Sequence, residues 1–236
     1  MRARRTTTPA VAAAVRQAVS VSVATGLYGI SFGALAVVAG LSLPQTMALS
    51  LLMFSGGSQF AFIGVVGAGG AAGAAVATAS LLGVRNALYG PQVAPLAGVS
   101  GPRKLLAAHL TIDESTAVAT AQSDPVAART GFWWTGVGVF ALWNAFTLVG
   151  ALLGDAAGDP RRFGLDAAAA AAFLGLVWPR LSGPHARTAR VVAAAAVLVA
   201  LATTPFLPTG VPVLLAALAA ILVGLVVNDP VPQEAT

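Results

Sequence analysis

Charged residues are spaced along the chain so that they separate long apolar stretches. Positions 17–84 contain no Asp, Glu, Lys or Arg, and neither do positions 191–228. A membrane-spanning helix needs about 20 apolar residues, so the first stretch could hold about three spans and the second about two short ones. A soluble domain has no reason to leave such lengths uncharged. The pattern therefore predicts an all-α integral membrane protein.

Segments rich in glycine and proline divide the apolar sequence into about seven predicted transmembrane helices, within a range of about six to eight. Residues 1–16 are expected to form a basic cytoplasmic tail, residues 17–228 a single polytopic domain and residues 229–236 a short C-terminal tail. The predicted spans are 18–39, 45–66, 131–154, 165–178, 191–204 and 211–227, and 71–97 is a further apolar region.

Basic residues flank these segments and predict their orientation. Arg2, Arg4 and Arg5 place the N-terminus in the cytoplasm, because Lys and Arg are enriched in cytoplasmic loops. The loop after Trp178 is basic as well. It falls on the cytoplasmic side if region 71–97 is a re-entrant hairpin, and outside if that region crosses once. The re-entrant interpretation is therefore favoured, as part of a fold with discontinuous segments.

A candidate internal repeat links the two halves. Gly40-Leu41-Ser42 precedes Phe54-Ser55 by the interval that separates Gly164-Leu165-Asp166 from Trp178-Pro179. Each segment follows a span with a small-residue face, Gly29 and Gly33 in the first and Gly150 and Gly154 in the second. Duplicated halves are common in secondary transporters. Coincidence among abundant glycine, alanine and leucine is the alternative.

Composition agrees with a membrane protein and excludes several functions. Only 9% of residues are charged and 57% are hydrophobic, so the chain could not cover a water-soluble surface. There is no cysteine and there are two histidines, which leaves no basis for a cysteine or histidine metal centre. The net charge is +5, and the basic residues are clustered between apolar stretches, as is typical of the edge of a membrane. We therefore expect no nucleic-acid partner. No nucleotide-binding or hydrolase motif is present, so neither a cofactor nor enzymatic activity is expected.

Three places carry polar residues at membrane depth. The first, Ser55, Gly56, Gly57, Ser58 and Gln59, interrupts the predicted span 45–66. Freed backbone groups are tolerated in a membrane only where they are buried in protein or line a cavity, so this break could bind the head group of an amino acid. A small-residue packing face is the alternative. Gln59 favours the break, because a bulky amide is costly toward lipid.

The second place contains Arg85, Asn86 and Tyr89. An arginine inside a bilayer usually pairs or faces water, and its guanidinium could bind a substrate carboxylate in a fork. A short cytoplasmic loop is the alternative.

The third place contains Asp113 and Glu114, which could carry protons or balance Arg85, although residues 111–115 also suit a helix start. Asp166 can likewise be interpreted as a functional acid or as the cap of a helix that starts nearby.

The ordered set of motifs resembles the AzlC family of branched-chain amino-acid permeases. The resemblance covers roughly residues 20–180, and its motifs lie at residues 28–33, 40–42, 54–60, 85–89, 113–115 and 164–173. In the family an Asn two residues before the arginine and a His after it are usual, whereas this chain has Gly83 and Asn86. Ile112 also separates Thr111 from the acidic pair.

The resemblance implies a secondary transporter in the bacterial cytoplasmic membrane that exports branched-chain or related apolar amino acids. It also implies a small AzlD-type membrane subunit as a partner. On this interpretation residues 55–59, Arg85, Asn86 and Tyr89 bind substrate, while Asp113, Glu114 and Asp166 couple or gate transport. Two alternatives stay open: a passive channel for another small solute, and a non-transporting scaffold subunit.

Overall fold

The described part of the chain is helical. The computed structural model describes residues 8–157, 174–175, 177–178, 180–183 and 186–227, and no strand occurs among them. Three helices, α1, α7 and α8, are long and apolar enough to cross a membrane. The chain is therefore an all-α membrane protein, as predicted. In chain order the described helices are α1 (Pro9–Val38), α2 (Leu43–Leu52), α3 (Gly56–Gly67), α4 (Ala72–Ala97), α5 (Arg103–His109), α6 (Asp113–Thr120), α7 (Pro125–Ala157), α8 (Ala186–Thr203) and α9 (Val211–Val226).

Helices α1 and α7 pack side by side in parallel. Gly26 lies against Leu142, Gly29 against Trp143 and Thr147, and Gly33 against Thr147 and Ala151, so residue numbers rise together on the two helices. Small residues let membrane helices approach closely enough for backbone contact. Both helices therefore begin on one side of the membrane, which we call the near side, and end on the other, which we call the far side.

Helices α2 and α3 form a hairpin that enters from the far side and returns to it. Gly67 at the end of α3 lies against Ala39, just after the end of α1, and α2 starts only a short loop beyond α1. With 10 and 12 residues, the two helices are about 15 and 18 Å long, roughly half of a bilayer core. The break that was predicted near residue 55 is confirmed, but the prediction that residues 45–66 cross the membrane is wrong.

Helix α4 is continuous from Ala72 to Ala97, so the re-entrant hairpin predicted for residues 71–97 is wrong. Gly70, just before it, lies against Val65 on the far side. At its other end the Ala97 carbonyl accepts a hydrogen bond from Trp133 Nε1 (3.2 Å) near the start of α7. Pro91 and Pro95 lie inside the helix without ending it. Helix α4 therefore runs from the far side to the near side, although, unlike α1, α7 and α8, it is not apolar enough to be identified as a membrane span from its composition alone.

Helices α5 and α6 form a second hairpin, which enters from the near side. Leu110, at its tip, lies against Gly136 of α7, while Val118 lies against Gly131, closer to the start of α7. Gln122, which follows α6, donates a hydrogen bond to Gln17 near the start of α1 (3.0 Å). The stretch that was interpreted only as semi-polar, residues 100–130, thus contains a re-entrant element and the first turns of α7.

Helices α8 and α9 are joined by a connection on the far side. Thr209 in that connection donates a hydrogen bond to the Ala68 carbonyl (3.4 Å), and Gly210 lies against Ala74. Because α8 is long enough to cross and ends on the far side, it begins on the near side.

The candidate repeat falls largely on residues 164–173 and 179, which lie outside the described residues, as does the predicted span 165–178 apart from its end. The two small-residue faces noted from the sequence do meet. Gly33 packs on α7, and Gly150 and Gly154 pack on Ile30 and Ala34 of α1.

Candidate functional site

A cavity of about 290 Å³ lies where the tips of the two hairpins approach each other. Because one hairpin enters from each side, the cavity lies at mid-membrane depth, between α1, α4 and α7. Its described lining brings together most of the residues singled out from the sequence, although they are up to 59 positions apart: Ser55, Gly56, Gly57, Arg85, Asn86, Asp113 and Glu114.

The N-terminus of α3 opens onto this cavity without a cap. Ser55 is the N-cap residue, but its side chain makes no capping bond, and its hydroxyl instead donates to Ser58 Oγ (3.1 Å). The first intrahelical bond runs from Gln59 N–H to the Ser55 carbonyl (3.0 Å), so the N–H groups before it have no helical partner. Such N–H groups and the positive end of the helix dipole favour an anionic group.

The Arg85 side chain of α4 lies against the start of α3 and forms an ion pair with Asp113 of α6. Its Nη2 lies 2.7 Å from Asp113 Oδ2, and Tyr89, one turn further along α4, donates its hydroxyl proton to Asp113 Oδ1. A Cβ at Gly57 would be 2.9 Å from Arg85 Nη2, so a larger residue there would displace the end of the Arg85 side chain from its present position. The ion pair explains how an arginine can stand in the middle of a crossing helix, because each charge compensates the other.

Glu114 is the third charged side chain of the cavity. It is partly buried, and the Thr25 side chain of α1 lies beside its carboxyl group. No cation of the described residues forms an ion pair with it, since Arg85 pairs with Asp113. The start of α6 satisfies its own backbone, because Ile112 N–H donates to Ser115 Oγ (3.0 Å). The two helix starts thus differ: α6 carries two carboxylates and α3 carries none.

Aromatic rings close the rest of the cavity. Phe60 and Trp143 line it, and both contact Phe32, with ring centroids 5.7 and 6.0 Å away. Trp143 is 3% exposed, and its indole N–H has no hydrogen-bond partner. The cavity therefore combines an apolar aromatic wall with a charged end.

A second cavity of about 270 Å³ adjoins the first. Phe54, Ser55 and Asn86 line both cavities. Phe54 contacts His109 and Phe140, with ring centroids 5.8 and 5.0 Å away, so an aromatic cluster lies next to the residues that the two cavities share. The Oδ1 atom of Asn86 is buried there without a hydrogen-bond partner.

Four residues of the predicted site lie elsewhere or are not described. Ser58 lines the second cavity only. Gln59 is fully buried, and its Nε2 donates to the carbonyls of Leu49 and Ser50, which holds the end of α2 against α3. Tyr89 reaches the site through Asp113. Asp166 lies outside the described residues.

Among the described lining residues that were not assigned to the site from the sequence are Thr25, Tyr28 and Trp143. Thr25 and Tyr28 face the cavity from α1, and Trp143 faces it from α7. The spacing of Thr25 and Tyr28 places them on one face of a helix, which is the one signal that could have linked them.

Re-entrant hairpins that meet at a partly charged cavity are typical of multi-pass membrane transporters. The family model described as AzlC protein matches residues 20–157. This match covers more than half of the chain, and it contains most of α1, both hairpins, α4 and α7. The chain belongs to the AzlC family, a transporter family associated with amino-acid transport. No curated protein and no solved structure matches the chain significantly.

Proposed function

We propose that the chain is a secondary transporter that exports branched-chain or related apolar amino acids, working with a small AzlD-type membrane subunit. The observation that carries the proposal is the cavity between the hairpin tips. It offers the uncapped start of α3 to a carboxylate, the Glu114 carboxylate to an ammonium group and an aromatic wall to an apolar side chain. Those are the three parts of an apolar amino acid.

In this proposal the start of α3, rather than Arg85, holds the substrate carboxylate. Arg85 is already neutralised by Asp113, so its charge is not available as an isolated anion site. Its role is to fix α6 against α3 and to shape the cavity. The two hairpins are the gates, and movement of one or the other opens the cavity to one side.

The distribution of basic residues supports a cytoplasmic near side. Described Lys and Arg residues at helix starts on this side are Arg16, Arg103, Lys104, Arg129, Arg187 and Arg190, whereas the described far-side connections 39–42, 68–71 and 204–210 contain none. Positive residues favour the cytoplasm. The orientation conflict that arose when residues 71–97 cross once disappears, because residues 43–67 form the re-entrant element instead.

The proposal is tested by efflux of preloaded radiolabelled leucine, isoleucine, valine and methionine from cells that lack native exporters. The chain is expressed alone and with its small subunit, with and without an uncoupler. We expect efflux that needs both proteins and collapses with the uncoupler. Uncoupler-insensitive efflux would identify a facilitator instead. No efflux above background, with both proteins in the membrane, would contradict the proposal.

A further inference from the structure

The charges of the described residues that line the cavity do not balance. Arg85 and Asp113 form an ion pair at 2.7 Å and cancel each other. Glu114 is the remaining charged lining residue, and no cation of the described chain pairs with it. A carboxylate inside a membrane is costly unless it is paired or protonated. Among the described residues, the lining of the cavity therefore carries one negative charge that no cation compensates.

We propose that Glu114 is the carboxylate that binds the ammonium group of the substrate in one half of the transport cycle and a proton in the other. The inference rests on the proposed function and assigns different roles to two adjacent acids. Asp113 is a positioning residue, because Arg85 and Tyr89 hold both of its oxygens. Glu114 lies beside the Thr25 side chain and within reach of the charge of Arg85, but it forms no ion pair with a described residue and can therefore change partner.

The substrate ammonium group and a proton compete for the Glu114 carboxylate, and this competition couples amino-acid export to proton entry. The substrate leaves Glu114 toward the far side with its ammonium group intact, and a proton from that side then forms the O–H bond of the neutral acid. When the cavity opens to the near side, this bond breaks, the proton leaves and the next ammonium group replaces it. One proton enters for each amino acid that leaves, so the cycle gives export driven by the proton gradient.

Few other polar groups of the described residues face Glu114. These groups are Thr25 and Tyr28 from α1, Ser55 from α3, Arg85, Asn86 and Tyr89 from α4, Asp113 on α6 itself and Trp143 from α7. The charge of Arg180, in the described segment 180–183, also acts on Tyr89. Arg85, Tyr89 and Asp113 are bonded to one another, which leaves Glu114 as the group whose charge can follow substrate binding.

The test compares two ligands that differ at the ammonium position. Leucine and 4-methyl-2-hydroxypentanoate share the carboxylate and the apolar side chain, but the second has a hydroxyl in place of the ammonium group. Binding of each radiolabelled compound is measured on the purified wild-type complex in nanodiscs and on E114Q, across a range of pH. D155N is the matched control, because Asp155 is an exposed acid near the end of α7.

We expect wild type and D155N to bind leucine at least tenfold more tightly than the hydroxy acid, with leucine binding weakening as pH falls. E114Q should lose at least tenfold in leucine affinity, keep its hydroxy-acid affinity and lose the pH dependence. Retained hydroxy-acid binding also shows that E114Q is folded.

If E114Q bound leucine with wild-type affinity and pH dependence, or if D113N removed the pH dependence while E114Q did not, the assignment of Glu114 would be overturned with the proposed function intact. If E114Q bound neither ligand, the assignment would also fail, because it requires the carboxylate subsite to survive. A wild-type complex that bound no branched-chain amino acid and exported none would instead contradict the proposed function.

Discussion

Replacing Arg85 by alanine is expected to lower the rate of leucine export at least about 100-fold while the protein remains in the membrane. The substitution leaves the Asp113 carboxylate without its cation. Breaking a buried ion pair costs about 3–5 kcal/mol, and the Arg85 and Asp113 side chains are 30% and 27% exposed, so we expect the lower end of that range. We expect this cost to fall on the transport-competent arrangement of α3 and α6, and about 3 kcal/mol lowers the population of such a state by roughly two orders of magnitude.

The measurement is initial efflux of radiolabelled leucine, normalised to the amount of protein in the membrane. R85K should retain partial activity, since lysine keeps the charge but lacks the planar fork that reaches both α3 and Asp113. The double variant R85A/D113A should recover part of the loss of R85A, because it removes the uncompensated carboxylate. Export by R85A within twofold of wild type would show that the ion pair does not shape the site.

Replacing Gly33 by alanine is expected to prevent stable folding. A Cβ at this position would overlap the Thr147 carbonyl oxygen and lie 2.7 Å from the Ala151 backbone nitrogen. These are backbone atoms of α7 and cannot move without separating the two parallel helices. Overpacking a core costs about 1–3 kcal/mol and sometimes more. Helices α1 and α7 form the most extensive helix contact among the described residues, so a loss there also affects the elements that pack on this pair.

The yield of monodisperse protein and its thermal midpoint in detergent measure this effect. Gly64→Ala is the matched control, since a Cβ at Gly64 of α3 would meet nothing within 4 Å. Alanine is favoured over glycine in a helix by about 1 kcal/mol, so G64A should be neutral or slightly stabilising. Equal thermal midpoints for G33A and G64A would refute the close parallel packing of α1 and α7.

The membrane class and the helical nature of the chain could be predicted from the sequence because both depend on local properties. Uncharged stretches at positions 17–84 and 191–228 require a lipid environment whatever the tertiary structure. Glycine and proline located the break before α3 and the connection between α8 and α9. The predicted span 211–227 agrees with α9 to within one residue.

The path of the chain could not be predicted, because it depends on long-range contacts. Residues 45–66 have the length and polarity of a span, and only the packing of Gly67 on Ala39 shows that the chain turns back. Residues 71–97 contain an arginine and two prolines, which indicated a break. The helix nevertheless continues, and Asp113, 28 positions further along the chain, compensates the charge of Arg85 within it.

The same limit applies to the site. The sequence singled out both acids of α6 as equivalent candidates, since neighbours in sequence cannot be distinguished by composition. The structure separates them, because one faces Arg85 and Tyr89 and the other faces Thr25. Gln59 was expected to be shielded from lipid, and it is, but its amide donates to carbonyls at the end of α2 and does not line the cavity.

Cysteine labelling tests most directly whether the cavity between the hairpin tips binds the substrate. The chain has no cysteine, so T25C creates a single thiol in the cavity, and S123C creates one in the exposed connection before α7 as a control. The rate of modification by a small charged thiosulfonate is measured with and without saturating leucine. We predict that leucine slows modification of T25C at least fivefold and leaves S123C unchanged. Equal rates for T25C with and without leucine, in protein that exports leucine, would contradict the placement of the substrate in this cavity.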